Sequence, residues 1–62
     1  MTVIERVKRV ESEARGIWAQ CGVRSADRVF LDDLRRKNPA QLTLAQEAWL
    51  TDIEHRVFGE AA

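Results

Sequence analysis

Cysteine and histidine are almost missing from this chain of 62 residues, which carries one of each, Cys21 and His55. A lone cysteine forms no internal disulfide, and one Cys with one His falls short of the four ligands of a usual zinc site. No apolar run approaches the 18 or so residues that would span a bilayer, and the N-terminus meets a charge at Glu5. A soluble, cytoplasmic protein is therefore expected. Excess charge of one sign is lacking too. Ten basic and ten acidic residues give zero formal net charge, so no global field draws in a polyanion or an anionic membrane. Repeats, low-complexity tracts and long linkers are absent, which leaves one domain over residues 1–62. A chain this short buries only about 60% of the surface its unfolded form exposes. With disulfide and metal excluded, helix packing or self-association is left to hold it together.

What is present has helical periodicity. Thr2 and Glu5 have the spacing of a capping box, so a first helix is expected to begin there. Behind it Val3, Val7, Val10, Ala14, Ile17 and Cys21 recur in alternating steps of four and three, widened by Ile4 and Trp18. Gly22 supplies a left-handed stop, with Val23 folding back on Trp18 in a Schellman arrangement. The first helix is thus predicted over about 3–21, with Gly16 tolerated inside it or marking a close contact.

Ser25 is the expected cap of a second helix over about 26–37, with Asp27 in its first turn and Arg35, Arg36 and Lys37 in its last. Val29, Phe30, Leu31 and Leu34 supply its apolar face, and Asn38-Pro39 ends it. Thr43 and Gln46 repeat the capping-box spacing and open a third helix over about 44–58, stopped by Gly59. Ala45, Trp49, Leu50, Ile53 and Val57 share one side of it. Residues 60–62 are expected to be a frayed tail. Short connections favour antiparallel neighbours, so the predicted fold is all-α, a small three-helix bundle.

Half of the charges have a local explanation. Glu5 with Arg9, Glu11 with Arg15, Asp32 with Arg36, Asp33 with Lys37 and Asp52 with Arg56 are acid-before-base pairs at i,i+4. Arg6, Lys8, Arg24, Arg28 and Arg35 are left over on this count. A nucleic-acid reading would use Arg24, Arg28, Arg35, Arg36 and Lys37 along helix two, while Glu47, Asp52 and Glu54 on helix three would oppose phosphates. His55 stands off the apolar stripe of helix three, with no Ser, Cys or Asp arranged around it. No enzyme activity, cofactor or metal is expected. Cys21, on the seam of helix one, behaves as a small hydrophobe.

Trp18 and Trp49 carry two readings. They anchor the core, as bulky residues must in a domain this small, or one of them stays partly exposed as a hot spot for a partner. Trp18, Trp49 and Phe58 are accordingly the candidate partner-binding residues. The seam Val3, Val7, Val10, Ala14, Ile17, Cys21 faces the other helices or joins two copies in a homodimer. The expected function is a small non-enzymatic protein–protein interaction module. The alternative is a nucleic-acid-associated factor using helix two.

Phe30-Leu31, Leu34, Leu42-Thr43, Gln46, Trp49-Leu50, Ile53 and Arg56 form the pattern FL-x-x-L, LT-x-x-Q-x-x-WL-x-x-I-x-x-R. It resembles a short helical module of phage- and plasmid-associated bacterial proteins. Ala45 stands where many of those modules carry a Lys, which removes a basic residue suited to phosphate contact. The resemblance covers residues 30–56 and implies a bacterial or phage accessory protein, with no activity carried over; a phage-type adaptor or inhibitor fits the interaction-module expectation.

Overall fold

Side-chain caps set where two of the three helices begin. In the computed structural model, which describes residues 2–59, Thr2 Oγ1 accepts from the Glu5 amide at 3.2 Å and Glu5 Oε1 accepts from the Thr2 amide at 3.0 Å. Thr43 and Gln46 repeat the arrangement at 3.1 and 2.9 Å. Each box satisfies two amides that a helix start leaves without an internal partner. The helices that follow are α1 (Val3–Ala14), α2 (Ser25–Lys37) and α3 (Leu44–Phe58), with no strand among the described residues. The fold is a small all-α three-helix bundle, as expected. The expected tail at 60–62 lies outside the described residues.

Two boundaries differ from the sequence expectation. Helix α1 ends at Ala14 and does not run to Cys21, because Arg15 and Gly16 both take left-handed backbone angles, φ +51° and +81°. Two successive left-handed residues turn the chain out of the helical path. Residues 17–22 then coil into one tight turn, closed by the Val23 amide donating to the Trp18 carbonyl (3.0 Å) and the Gly22 amide to Ala19 (3.2 Å). This is the Schellman pairing expected at Gly22, but it closes a short turn and not a long helix. Helix α2 starts at Ser25 with Arg24, not Ser25, as its cap: Asp27 at the third helical position accepts from the Arg24 amide at 3.0 Å.

Arginine in a left-handed conformation is strained where glycine is not. Arg15→Gly is therefore expected to stabilise the protein by about 0.5–1 kcal/mol, seen as a higher urea midpoint at unchanged slope. A lower midpoint would mean that the Arg15 side chain supports the fold.

The core draws on every element. Val3, Val7, Val10 and Ala14 of α1, Val23 of the connection that follows, Phe30, Leu31 and Leu34 of α2, and Leu50 and Ile53 of α3 are all buried. Trp18, Cys21, Leu42, Val57 and Phe58 pack around that centre. Helix α1 lies against both other helices. Four of the six seam residues, Val3, Val7, Val10 and Ala14, are covered by the chain's own α2 and α3, so joining two copies through them would require the bundle to open. Ile17 is half exposed, and Cys21 is partly buried. Two apolar faces are narrower than their sequence patterns: Val29 on α2 is 69% exposed and Ala45 on α3 is exposed. Among the described residues, no helix is long and apolar enough to cross a membrane.

Candidate partner-binding site

One carboxylate organises the contact between α2 and α3. Asp27 shares the phase of Phe30, Leu31 and Leu34, which places its side chain inside, where it is fully buried. Burying a carboxylate is costly unless it is paired and hydrogen-bonded. Here both oxygens are occupied. Oδ1 accepts from Trp49 Nε1 at 2.7 Å, and Oδ2 accepts from Arg56 Nη1 at 3.0 Å and from the Arg24 amide at 3.0 Å. Arg56 Nη1 also donates to the Gly22 carbonyl at 2.7 Å, and its Nη2 lies 2.9 Å from Asp52 Oδ2. Gly22, at φ +79°, brings its backbone against the Arg56 side chain; a Cβ there would lie 3.7 Å from Arg56 Cδ. The glycine that closes the 17–22 turn, the start of α2 and the last turn of α3 thus meet at one ion pair.

Burial alone would raise the Asp27 pKa. The Arg56 and Trp49 hydrogen bonds and the Arg24 amide outweigh it and hold the carboxyl well below the usual range. The Asp27 bond and charge push Arg56 upward against its own desolvation. A carboxyl whose pKa is depressed by folding contributes stability that is complete above its unfolded value, about 3.9, and is lost as pH falls toward the folded value. Thermal midpoints are accordingly expected to be flat near neutrality and to drop below about pH 4. Asp27→Asn, studied in an Arg15→Gly background to retain a folded population, should flatten that drop. An unchanged acid profile would show that Asp27 is not the group responsible.

The other helix pairs have ionic ties of their own. Arg6 of α1 reaches Glu54 of α3 through Nε (3.2 Å) and Nη2 (2.7 Å), and Glu47 through Nη1 (2.9 Å). These bonds raise the Arg6 pKa, and Arg6 together with Thr51 lowers that of Glu47. Glu11 of α1 accepts from Arg35 Nη1 of α2 at 3.2 and 3.0 Å. Two expected local pairs are replaced: Glu5 caps Thr2, three residues back, and Glu11 takes Arg35 of α2 instead of Arg15. Asp32–Arg36, Asp33–Lys37 and Asp52–Arg56 form as expected, at 3.5, 3.3 and 2.9 Å.

These contacts change the character of the basic residues on helix two. Arg24 is 3.6 Å from Asp27, Arg35 is held by Glu11, Arg36 lies between Asp32 and Asp33, and Lys37 pairs with Asp33. Arg28 differs. Its guanidinium carbon lies 5.5 Å from the Trp18 ring centroid, and no carboxylate among the described residues pairs with it.

The three aromatic candidates are separated by their neighbours. Trp49 is 39% exposed, stacks on Phe30 at 4.1 Å and donates its indole N–H to Asp27, so it ties α2 to α3. Phe58 is partly buried under Arg9, 5.0 Å above its ring. Trp18 alone lines an open groove of about 450 Å³ with Arg28, Val29, Leu31 and Asp32 of α2. Trp18 and exposed Val29 supply its apolar wall, and the Arg28 guanidinium lies over the Trp18 ring.

Asp27 and Arg6 were overlooked as structural centres by charge counting. Asp27 had a usable signal, its i, i+3, i+4, i+7 register with Phe30, Leu31 and Leu34; a carboxylate in phase with a buried stripe needs a partner inside. Arg6 had less, since nothing local identifies acids 41 and 48 positions away. Among the described residues, no group of three His, Cys, Asp or Glu side chains is placed to hold a metal ion. No protein-family model, curated protein or solved structure matches this chain.

Proposed function

We propose that this chain is a small non-enzymatic protein-interaction module, an adaptor or inhibitor that fits the accessory role its resemblance to phage- and plasmid-associated modules implies. The observation that carries this reading is the contrast between a tied interior and an unspent apolar exterior. Every pair of helices is bridged by charged or aromatic contacts, yet Val29 and Leu44 stand 69% and 91% exposed on their helices and Ile17 49% exposed in the turn. Large apolar side chains left in water on a folded surface are available for docking to another protein. Pairing of Arg24, Arg35, Arg36 and Lys37 with carboxylates leaves less positive charge for phosphate contact than their number suggests.

The test is recovery of the tagged protein from its native lysate with and without nuclease, followed by a high-salt wash. A co-purifying protein that survives both treatments is the expected result. Loss of all partners on nuclease treatment, with binding that falls steeply with salt, would overturn the reading in favour of nucleic acid.

A further inference from the structure

The geometry points to the groove between the 17–22 turn and α2 as a docking site for an acidic amphipathic protein segment, one that presents a large apolar side chain with a carboxylate about one helical turn away. This inference rests on the interaction-module reading and names the partner's chemistry. Three observations meet at the groove. Its apolar wall is Trp18, anchored by its packing against the core, with Val29 beside it 69% exposed. The groove is open and holds about 450 Å³, which suits a side chain laid on it from a partner's surface and not an enclosed small ligand.

The third observation is charge. Four charged residues line the groove: Glu11, Arg28, Asp32 and Arg35. Glu11 and Arg35 neutralise each other at 3.0 Å, and Asp32 is held 3.5 Å from Arg36. Arg28 is left without a carboxylate or a hydrogen-bond acceptor among the described residues, although it is positioned over Trp18. A guanidinium already placed beside an apolar wall pays less to form a bidentate bond to a carboxylate than a freely moving lysine does. An apolar anchor with a neighbouring acid satisfies both features at once, whereas a basic or phosphate-bearing occupant meets either Arg28 or the wall alone.

Selection of displayed random 12-residue peptides against the folded full chain tests the proposal. The expected binders carry Leu, Ile, Phe or Trp with Asp or Glu three or four positions away, and they shift the Val29 amide and Trp18 indole resonances. Arg28→Glu should weaken such a peptide about tenfold, as loss of one charged hydrogen-bonded contact does. Replacing the peptide's acid by Lys should recover binding to that variant. Val29→Glu should abolish binding. Both positions are exposed, so helical circular dichroism should stay unchanged, with the urea midpoint of Val29→Glu kept and that of Arg28→Glu lowered by no more than the about 0.5–1 kcal/mol of its contact with Trp18. Binders without an acid, indifference to Arg28→Glu, or failure to select any binder would overturn the inference. Binders that instead shift Leu44 and Trp49 would move the site to α3 and leave the interaction-module reading standing. If no peptide binds and no protein is retained from lysate, both fall.

Discussion

Asp27→Ala is expected to leave most of the chain unfolded at 25 °C. Removing one member of a buried ion pair costs about 3–5 kcal/mol, because the remaining charge stays desolvated without its partner. A bundle of this size has about that much stability in total. The loss at Asp27 reaches further than one pair, since the same carboxylate accepts from Trp49, Arg56 and the Arg24 amide. Urea unfolding followed by circular dichroism measures the effect, with Asp27→Ala placed in the Arg15→Gly background to keep its midpoint in range. A double-mutant cycle with Arg56→Met separates the stranded charge from simple loss of contact. If the guanidinium is the main victim, Asp27→Ala costs clearly less once Arg56 is gone. A loss of under about 1 kcal/mol in the single variant would show that Asp27 is not a linchpin of the α2–α3 contact.

Trp49 is expected to show the second largest effect, in two separable steps. Trp49→Phe keeps a ring against Phe30 and removes the indole donor to Asp27, which should cost about 1 kcal/mol. Trp49→Ala removes the ring as well. Its cost should reach roughly 2–3 kcal/mol, below the value for a fully buried tryptophan because 39% of the residue is already in water. Chemical denaturation of the two variants orders these terms. Equal losses would place the whole contribution in the hydrogen bond, and a negligible loss for Trp49→Ala would return Trp49 to the pool of free docking residues. The outcome bears on function, because a tryptophan that ties two helices together is not readily given up to a partner.

Local rules carried most of the fold. The boxes at Thr2 and Thr43 form because hydroxyl and acid or amide three positions apart answer each other across one turn, whatever the rest of the chain does. Gly59 and Asn38 end α3 and α2 in left-handed geometry for equally local reasons. The apolar repeat of α1 is real, but Ala14, Ile17 and Cys21 keep their spacing whether or not a helix joins them. The break therefore falls at Arg15-Gly16, where periodicity has nothing to say. A glycine inside an apolar repeat is a cheap interruption, and the turn it permits packs Trp18 and Val23 onto the core.

The candidate site was legible only in its parts. Trp18 and Arg28 were both singled out by type, one as a large aromatic and the other as a cation without a local partner. Their meeting depends on the turn at 17–22, which helical spacing would have carried elsewhere. Exposure of Val29 follows once Asp27 is placed in the buried register with Phe30, Leu31 and Leu34: at 3.6 residues per turn Val29 lies about 150° round α2 from the centre of that stripe, on the solvent face.

By itself the sequence determined the number of helices, two of their starts, the ends of α2 and α3, and the neutral balance of charge, all of which depend on residues within about one turn of each other. Only the tertiary structure decided that Asp27 is buried, that Arg6 pairs with Glu47 and Glu54, that Glu11 pairs with Arg35, and that Arg28 is left over Trp18. Those choices join residues from separate elements. Their energies depend on distance and desolvation in three dimensions, quantities that exist only once the helices have packed.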